Sequence, residues 1–277
     1  MAIRIVTDSS ADLPAELVRE LGITVVPLYV RFGEEVYRDR VDISEDEFYQ
    51  RLQYDAVHPS TVQPSPQDFA DVYQPLSGEA DGIVSVHISS KLSGTYNSAM
   101  RGKEIVRAKC PIEVIDSQTL TMALGMLAVM AARLARQGKG LAEVVAAVKQ
   151  AVPVTHLLGL LDTLKYVMLG GRIGKAKALL GSILNVKPLL SLQEGEVIPA
   201  GQARTRSKGI DRLFDFVQGY GRVQDLAVVY NTTPEEAETL AGRLGTVFDR
   251  KQITLSRVGP VLGTHMGPAA LIVTFRT

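Results

Sequence analysis

The sequence predicts an α/β protein of two domains: a parallel-sheet domain over residues 1–155, and an α+β domain with a mixed or antiparallel sheet over residues 156–277. Three observations carry that expectation. Through the first half, short apolar β-rich runs alternate with amphipathic helical runs, the pattern of a parallel sheet covered on both faces. Near Pro153 the pattern changes to a hairpin followed by strands and helices in mixed order. The 277 residues, 46% hydrophobic, supply apolar surface for one large core or two ordinary ones. A cleft between the domains follows.

Each element has its own justification. "IRIVTD" is a β-rich run. "SSADLPAELVREL" reads as a helix capped by Asp12 or a nearby Ser, with Pro14 in its first turn. "ITVVPLYV" reads as the next strand, and "SEDEFYQRL" as a helix with Ser44 and Glu47 spaced as a capping box. "SPQDFADVYQPL" repeats that logic with Ser65, Pro66 and Asp68. Strand "GIVSVHI", helix "GTYNSAMRGKEIV", strand "IEVID", the apolar helix "LTMALGMLAVMAARLA" and helix "LAEVVAAVKQAV" complete the first half. In the second half, the stretch from Thr155 to Leu192 reads as mainly helical with a strand at each end. A hairpin at "EGEVIPAGQART" and a helix at "RSKGIDRLFDFVQGY" follow. Then come strand "DLAVVYN", helix "TPEEAETLAGRL" and the strands "ITLSRVG" and "AALIVTF".

Composition excludes several classes. Lys+Arg and Asp+Glu are both 30, so the basic excess of a nucleic-acid binder is missing. Trp is absent, and no aromatic platform for stacking bases is visible. The one cysteine, Cys110, excludes an internal disulfide and a thiolate metal cluster, and neither metal nor cofactor is implied. "MAIRIVTDSS" runs directly into a strand pattern without the features of a signal peptide. Arg133 interrupts the most apolar stretch, which reads as a buried helix and not a membrane span. A cytoplasmic protein is the expectation.

In an open parallel sheet, ligands bind beyond the carboxyl ends of the strands. Four loops there are dense in hydroxyls: "TDSS", "PSTVQPS", "SSKLSGT" and "SQTLT". Any one such residue is more often a helix cap than a ligand contact. Four on one edge favour a ligand. Ser93, Gly94 and Thr95 stand where a helix begins, and a helix start with hydroxyls suits a carboxylate or phosphate. "LGGRIG" places Arg172 between glycines after a helix, and "VGPVLGTHMGP" places His265 in a glycine-rich turn. His87, in a strand, reads as packing, and His58 and His156 carry no signal.

These pieces resemble the DegV family. The signatures are "VTDSSADLP" (Val6 to Pro14), "STVQPSP" (Ser60 to Pro66), "SSKLSGTYNSA" (Ser89 to Ala99), "GGRI" (Gly170 to Ile173) and "GTHMGP" (Gly263 to Pro268). They occur in the family's order from the first strand to the last. The resemblance implies a bacterial protein of two α/β domains that buries a long-chain fatty acid between them. It also implies a partner, a separate fatty acid kinase that phosphorylates the bound acid for phospholipid synthesis. Residue by residue, the family's carboxylate-binding Thr and Ser match Thr61 and Ser93, its glycine-flanked Arg matches Arg172, and its C-terminal His matches His265. Two positions depart from the family pattern. Val62 follows Thr61 where Ser is usual, and Ala269 stands where Gly is usual, which stiffens the turn behind His265.

The resemblance explains the hydroxyls. A carboxylate at the end of an apolar tunnel needs donors and no nucleophile. The acyl tail offers on the order of 10 kcal/mol through its buried methylenes, before ordering costs. "LLGLL", "ALLGSIL" and "TMALGML" are candidate wall segments. The competing reading is a serine hydrolase using Ser93, His265 and Asp116. "KLSGT" lacks the G-x-S-x-G elbow, which counts against it. A nucleotide binder at the same helix start lacks both glycine-rich phosphate motifs. "RTRSK", from Arg204 to Lys208, is the densest basic run and reads either as a solvated hairpin end or as a docking patch for an acidic kinase surface.

Overall fold

The computed structural model describes residues 2–179 and 186–277. From β1 (Ala2–Asp8) the chain passes through a 3-10 turn, Ser9–Ala11, to α1 (Ala15–Leu21) and β2 (Thr24–Val26). It then builds β3 (Tyr29–Phe32), β4 (Glu35–Arg38), α2 (Glu45–Tyr54) and β5 (Ser60–Val62). It continues through α3 (Pro66–Leu76), β6 (Ala80–His87), α4 (Thr95–Ile105), β7 (Ile112–Asp116), α5 (Thr121–Arg136) and α6 (Leu141–Ala151). The second half runs β8 (Thr155–Leu160), α7 (Lys165–Leu169), a 3-10 turn at Gly174–Leu179, β9 (Lys187–Gln193) and β10 (Glu196–Ala203). It ends with α8 (Arg206–Gln218), β11 (Asp225–Tyr230), α9 (Pro234–Leu244), β12 (Ile253–Arg257), α10 (Pro260–Met266) and β13 (Leu271–Arg276).

Among the described residues the strands form three sheets. The first is parallel throughout, in the order β2-β1-β6-β7. The second is mixed, in the order β10-β9-β8-β13-β11-β12, with a parallel pair at β11–β12 and antiparallel pairs elsewhere. Glu194 and Gly195 both take positive φ between β9 and β10, as a two-residue hairpin turn requires. A third, small antiparallel sheet, β4-β3-β5, was not expected. It arises because "ITVVPLYV" is two strands. Pro27 has no N–H to give a ladder, and the amide of Leu28 turns aside to Ser9 Oγ at 3.0 Å. The loop expected at Ser60–Val62 is the third strand of that sheet.

The long apolar helix is explained by what lies on its two sides. α5 packs against β1 and β6 of the parallel sheet and against β8, β11 and β13 of the mixed sheet. Met122, Leu124 and Leu127 share one core with Val84 and Val86 on one side and Leu157, Val229 and Ile272 on the other. A helix covered by two sheets has little use for a polar stripe. Leu127→Ala in such a place costs about 2–5 kcal/mol. No described helix is long and apolar enough to cross a membrane. The other face of the mixed sheet is closed by α8 and α9 through Leu213, Val217, Leu240 and Leu244.

Two local expectations are corrected. Asp12 does not cap α1. It sits in the left-handed region at φ 49°, Pro14 occupies the cap position without a side-chain bond, and the Asp12 carboxylate is spent elsewhere. His265 is not in a loop, because Pro260 starts a helix that carries the histidine through its last turn.

Candidate functional site

A cavity of about 450 Å³ opens between the mixed sheet and the loops beside β5 and β6. That volume is within the usual range for small-molecule sites. The strand period builds one wall: Leu157, Gly159 and Leu161 face the cavity, while Leu158 and Leu160 point into the α8–α9 core. Leu190, Leu192 and Val197 extend that wall from the β9–β10 hairpin. α10 supplies Val261, Leu262, His265 and Met266 from one face. Ile88 and Leu92 enter from the loop after β6.

Polar groups collect at one end. Thr61, Ser93, Arg172 and His265 all line the cavity. His265 Nε2 and Thr61 Oγ1 are 2.9 Å apart and join residues 204 positions apart in sequence. Ser93 Oγ lies 2.8 Å from Thr95 Oγ1 and accepts from the Thr95 amide at 3.3 Å. Arg172 donates to the carbonyls of Gly170 at 2.8 Å and Leu92 at 3.4 Å and is otherwise exposed. It also lines a neighbouring cleft with Lys91, Lys175 and Glu196. Burial, reinforced by the charges of Arg172 and His58, pushes the His265 pKa down to about 4, so the ring is neutral near pH 7. Its Nδ1 is buried without a hydrogen-bond partner.

The glycines around the site serve close approach. A Cβ on Gly170 would lie 2.0 Å from His265 Nδ1. One on Gly267, at φ 70°, would lie 2.0 Å from the Tyr166 ring. These two contacts let the end of α7 press on the end of α10. Ala269 takes φ 58°, a conformation that costs a residue with a Cβ roughly 1–2 kcal/mol.

Other residues expected at the site are placed differently. Gly94 does not line the cavity, because the amide of Gln63 covers it: a Cβ there would meet Gln63 Oε1 at 2.2 Å. Thr95 is fully buried and touches the site through Ser93. Gln63, which does line the cavity and reaches Ser98 Oγ at 3.3 Å, was overlooked although it stands inside "STVQPSP". Val62 is also on the cavity wall and substantially exposed. Of the wall segments, "LLGLL" does line the cavity. "TMALGML" does not, being enclosed between the two sheets. "ALLGSIL" falls largely on residues 180–184, outside the described residues.

The hydrolase trio is not assembled. Ser93 is bonded to Thr95 and His265 to Thr61. Asp116 is held by Ser90, through its hydroxyl at 2.5 Å and its amide at 3.2 Å, and by the Gln118 amide at 2.9 Å. A different Asp–His–Ser series does exist in the core. Asp8 Oδ2 is 2.9 Å from His87 Nδ1, and His87 Nε2 is 2.6 Å from Ser85 Oγ. Tyr73 OH closes the series 2.7 Å from Ser85 Oγ. All four side chains have essentially no exposure, although Asp8 stands in the wall of a neighbouring cleft. His87 is thus more than a packing residue: it neutralises the hydrogen-bond demand of a buried carboxylate. No metal-binding cluster exists among the described residues. In the basic run, Arg206 is tied to Glu236 by bonds of 2.7 and 3.1 Å.

Comparison with known proteins identifies the family and the fold. A family model described as uncharacterised proteins of the DegV family matches residues 2–277. A DegV domain-containing protein of Streptomyces coelicolor is 40% identical over 273 residues, 97% of this chain and 96% of the relative. The solved structure of a DegV family protein from Thermus thermophilus, described for its fatty acid binding, is 34% identical. It superposes with a TM-score of 0.92 over 100% of both chains. A stearic acid-binding protein from Eubacterium ventriosum is 28% identical, with a TM-score of 0.90 over 99% of this chain and 98% of that one.

Proposed function

The chain belongs to the DegV family, and from that premise we propose that it carries a long-chain fatty acid in the 450 Å³ cavity, with the carboxylate at the Thr61–Ser93–Arg172–His265 end. The observation that carries this reading is the union of a leucine-rich wall with four polar side chains at one end. Ser93 Oγ accepts from the Thr95 amide and, in one of its two arrangements, from the Thr95 hydroxyl, which leaves its own proton for the ligand. In the tautomer where His265 donates through Nε2, Thr61 likewise keeps its proton for the ligand. Gly94 places the helix start and Thr95 orients Ser93, so both act on the carboxylate indirectly. Arg172 supplies the positive charge from the exposed side.

The protein is a carrier and not an enzyme in this reading. The exposed Arg172 and the adjoining cleft put the carboxylate end near the surface, where a separate kinase reaches it. The carrier then works in the bacterial cytoplasm and feeds phospholipid synthesis. Arg204 and Lys208 remain candidates for docking that kinase, while Arg206 is engaged by Glu236. We place the division between the two domains at residue 155, a reading supported by β8 opening the mixed sheet there. Native mass spectrometry of protein purified from bacteria tests the carrier reading. A bound long-chain fatty acid is expected. Spectra of ligand-free protein alone, even after fatty acid is added, would overturn it.

A further inference from the structure

α10 has a polar cluster at each end. Its last turn carries His265 into the cavity. Its first residue is held from the other lobe, because the Gly259 amide, at the cap position, donates to Asp12 Oδ1 at 2.8 Å. Asp12 also accepts from Thr121 Oγ1 at 2.6 Å and from Arg40 Nη2 at 3.2 Å, and its backbone carbonyl accepts from Ser256 Oγ. Arg40 in turn donates to the carbonyls of Arg257 and Leu13. Asp39 accepts from Ser9 Oγ at 2.7 Å. The fit is close: a Cβ on Gly259 would lie 2.7 Å from Arg40 Nε, 3.2 Å from Asp39 Oδ1 and 3.3 Å from Asp12 Oδ1. Asp12 and Asp39 are both buried to about 1% exposure. Asp39, Arg40 and Glu45 line a cleft of about 520 Å³ that gives protons a route in.

We infer that Asp12, with Asp39 and Arg40, is a positioning device that holds α10 and so sets how firmly His265 and its helix close on the ligand, and that neutralising these carboxylates loosens that hold. The inference rests on the proposed ligand-binding role of the cavity. Gly259 and His265 are six positions apart on a short helix whose entry is further pinned by Tyr49 OH on the Val258 carbonyl at 3.1 Å. Hydrogen bonds to a carboxylate are stronger than those to a neutral acid. Losing the charge therefore weakens the bond to Gly259 and leaves the buried Arg40 guanidinium with Glu45, 3.5 Å away, as its remaining anion. The other charged groups around the cluster are Arg257, paired with Asp46 at 2.7 Å, and Arg19 and Asp8 along the same cleft. Tyr49 faces Asp12 and stays neutral, since burial raises its pKa well above the ordinary value. Burial likewise raises the pKa of Asp39 to about 7 and of Asp12 to about 6, against the opposing effects of Ser9, Arg40, Thr121 and nearby amides. The charge state thus changes in the physiological range.

The sign separates positioning from stability. A carboxylate with a raised folded-state pKa makes the folded state bind protons more tightly than the unfolded one. Acidification from about pH 7 toward about pH 4 therefore stabilises the fold through these two groups, while the inferred hold on the ligand weakens. The test compares wild type with Asp12→Asn and Asp39→Asn; Asn tolerates the left-handed backbone at position 12. With cis-parinaric acid as fluorescent probe, wild-type affinity should fall about tenfold between about pH 7.5 and about pH 5.5, a usual size for coupling between sites. Each Asn variant should start weaker at the higher pH and show a flatter profile, without a matching loss of Tm. Ligand protonation is common to all three proteins and cancels in the comparison. A second readout needs no ligand. The His265 ring resonance, assigned by its loss in His265→Asn, should shift in both Asn variants. Parallel pH profiles, or a His265 resonance unmoved in both variants, would overturn the inference. Absence of probe binding by wild type at either pH would count against the carrier reading, and the His265 resonance would still decide the positioning role.

Discussion

Two histidine–hydroxyl constellations occupy this molecule, and they differ in what they leave unused. In the core, His87 lies between Asp8 and Ser85, and Tyr73 closes the series, so both ring nitrogens and every hydroxyl are engaged. At the cavity, His265 has one nitrogen on Thr61 and the other without a partner, and Thr61 and Ser93 line the cavity wall. The core set has the connectivity of a nucleophile, base and orienter, yet Ser85, the group that would attack, is fully buried among core side chains. The cavity set lacks that connectivity: Thr61 pairs with His265 and Ser93 with Thr95, and each hydroxyl keeps hydrogen-bonding capacity beyond that one contact. Residue types do not separate the two sites; spare hydrogen-bonding capacity beside a cavity does.

The largest expected effect falls on the core set. Asp8 also accepts from the amides of Ser10 at 3.1 Å and Ile88 at 3.1 Å, so Asp8→Ala orphans several buried donors at once. A stability loss of about 3–5 kcal/mol is expected, as when one member of a buried charged network is removed. Urea unfolding measures it. Fatty-acid affinity of the folded fraction should stay near the wild-type value; a large affinity loss with little destabilisation would reverse the roles assigned to the two sets.

The same substitution made in each set sharpens the contrast. Ser85→Ala leaves His87 and Tyr73 without their shared partner and should cost about 1–3 kcal/mol of stability at unchanged affinity. Ser93→Ala removes the proposed donor to the ligand and should cost about 1–3 kcal/mol of affinity at nearly unchanged stability. If Ser93 were merely a helix cap, the change would lower stability by about 1 kcal/mol and leave binding intact. Isothermal titration and thermal unfolding of both variants, side by side, decide this.

Gly170→Ala probes the cavity histidine without removing a polar atom. The added Cβ meets the ring of His265, the far end of a side chain that is able to turn. The ring should rotate off Thr61, with a fivefold to tenfold loss of affinity, about 1 kcal/mol, and little change in Tm. An unchanged affinity would show that the Thr61–His265 contact does not bear on the ligand.

Much of the fold was legible because its signals are local. Ser65 and Asp68 form the reciprocal cap that their spacing announces, and the alternating strands of the parallel sheet lie where their apolar runs stand. The small sheet was not legible, because β3, β4 and β5 are three or four residues each, too short to show a period. Thr61, Ser93, Arg172 and His265, named from the family resemblance, line one cavity. The destination of Asp12 could not be read locally. Its side chain competes between capping its own helix and capping one nearly 250 positions later, and that choice is made by tertiary packing. Gln63 was hidden for a similar reason, since its contact with Gly94 crosses between two loops.

The last comparison is set by pH, with the two ends of α10 pulling in opposite directions. For His265 the folded-state pKa, about 4, lies below the ordinary histidine value of 6.5. Between those values the unfolded chain takes up a proton that the folded chain refuses, so stability is lost as pH falls through that window. Asp12 and Asp39, with pKa values raised to about 6 and about 7, gain stability over much of the same range. His265→Asn should therefore recover about 1 kcal/mol of stability relative to wild type on going from about pH 7 to about pH 5.5, after solvent screening. Asp39→Asn should move the other way, losing the gain that acid brings the wild type. Urea denaturation at the two pH values reads both changes. A His265→Asn slope equal to wild type would mean that the ring titrates near its ordinary value and is not sealed against Gly170 and Thr61.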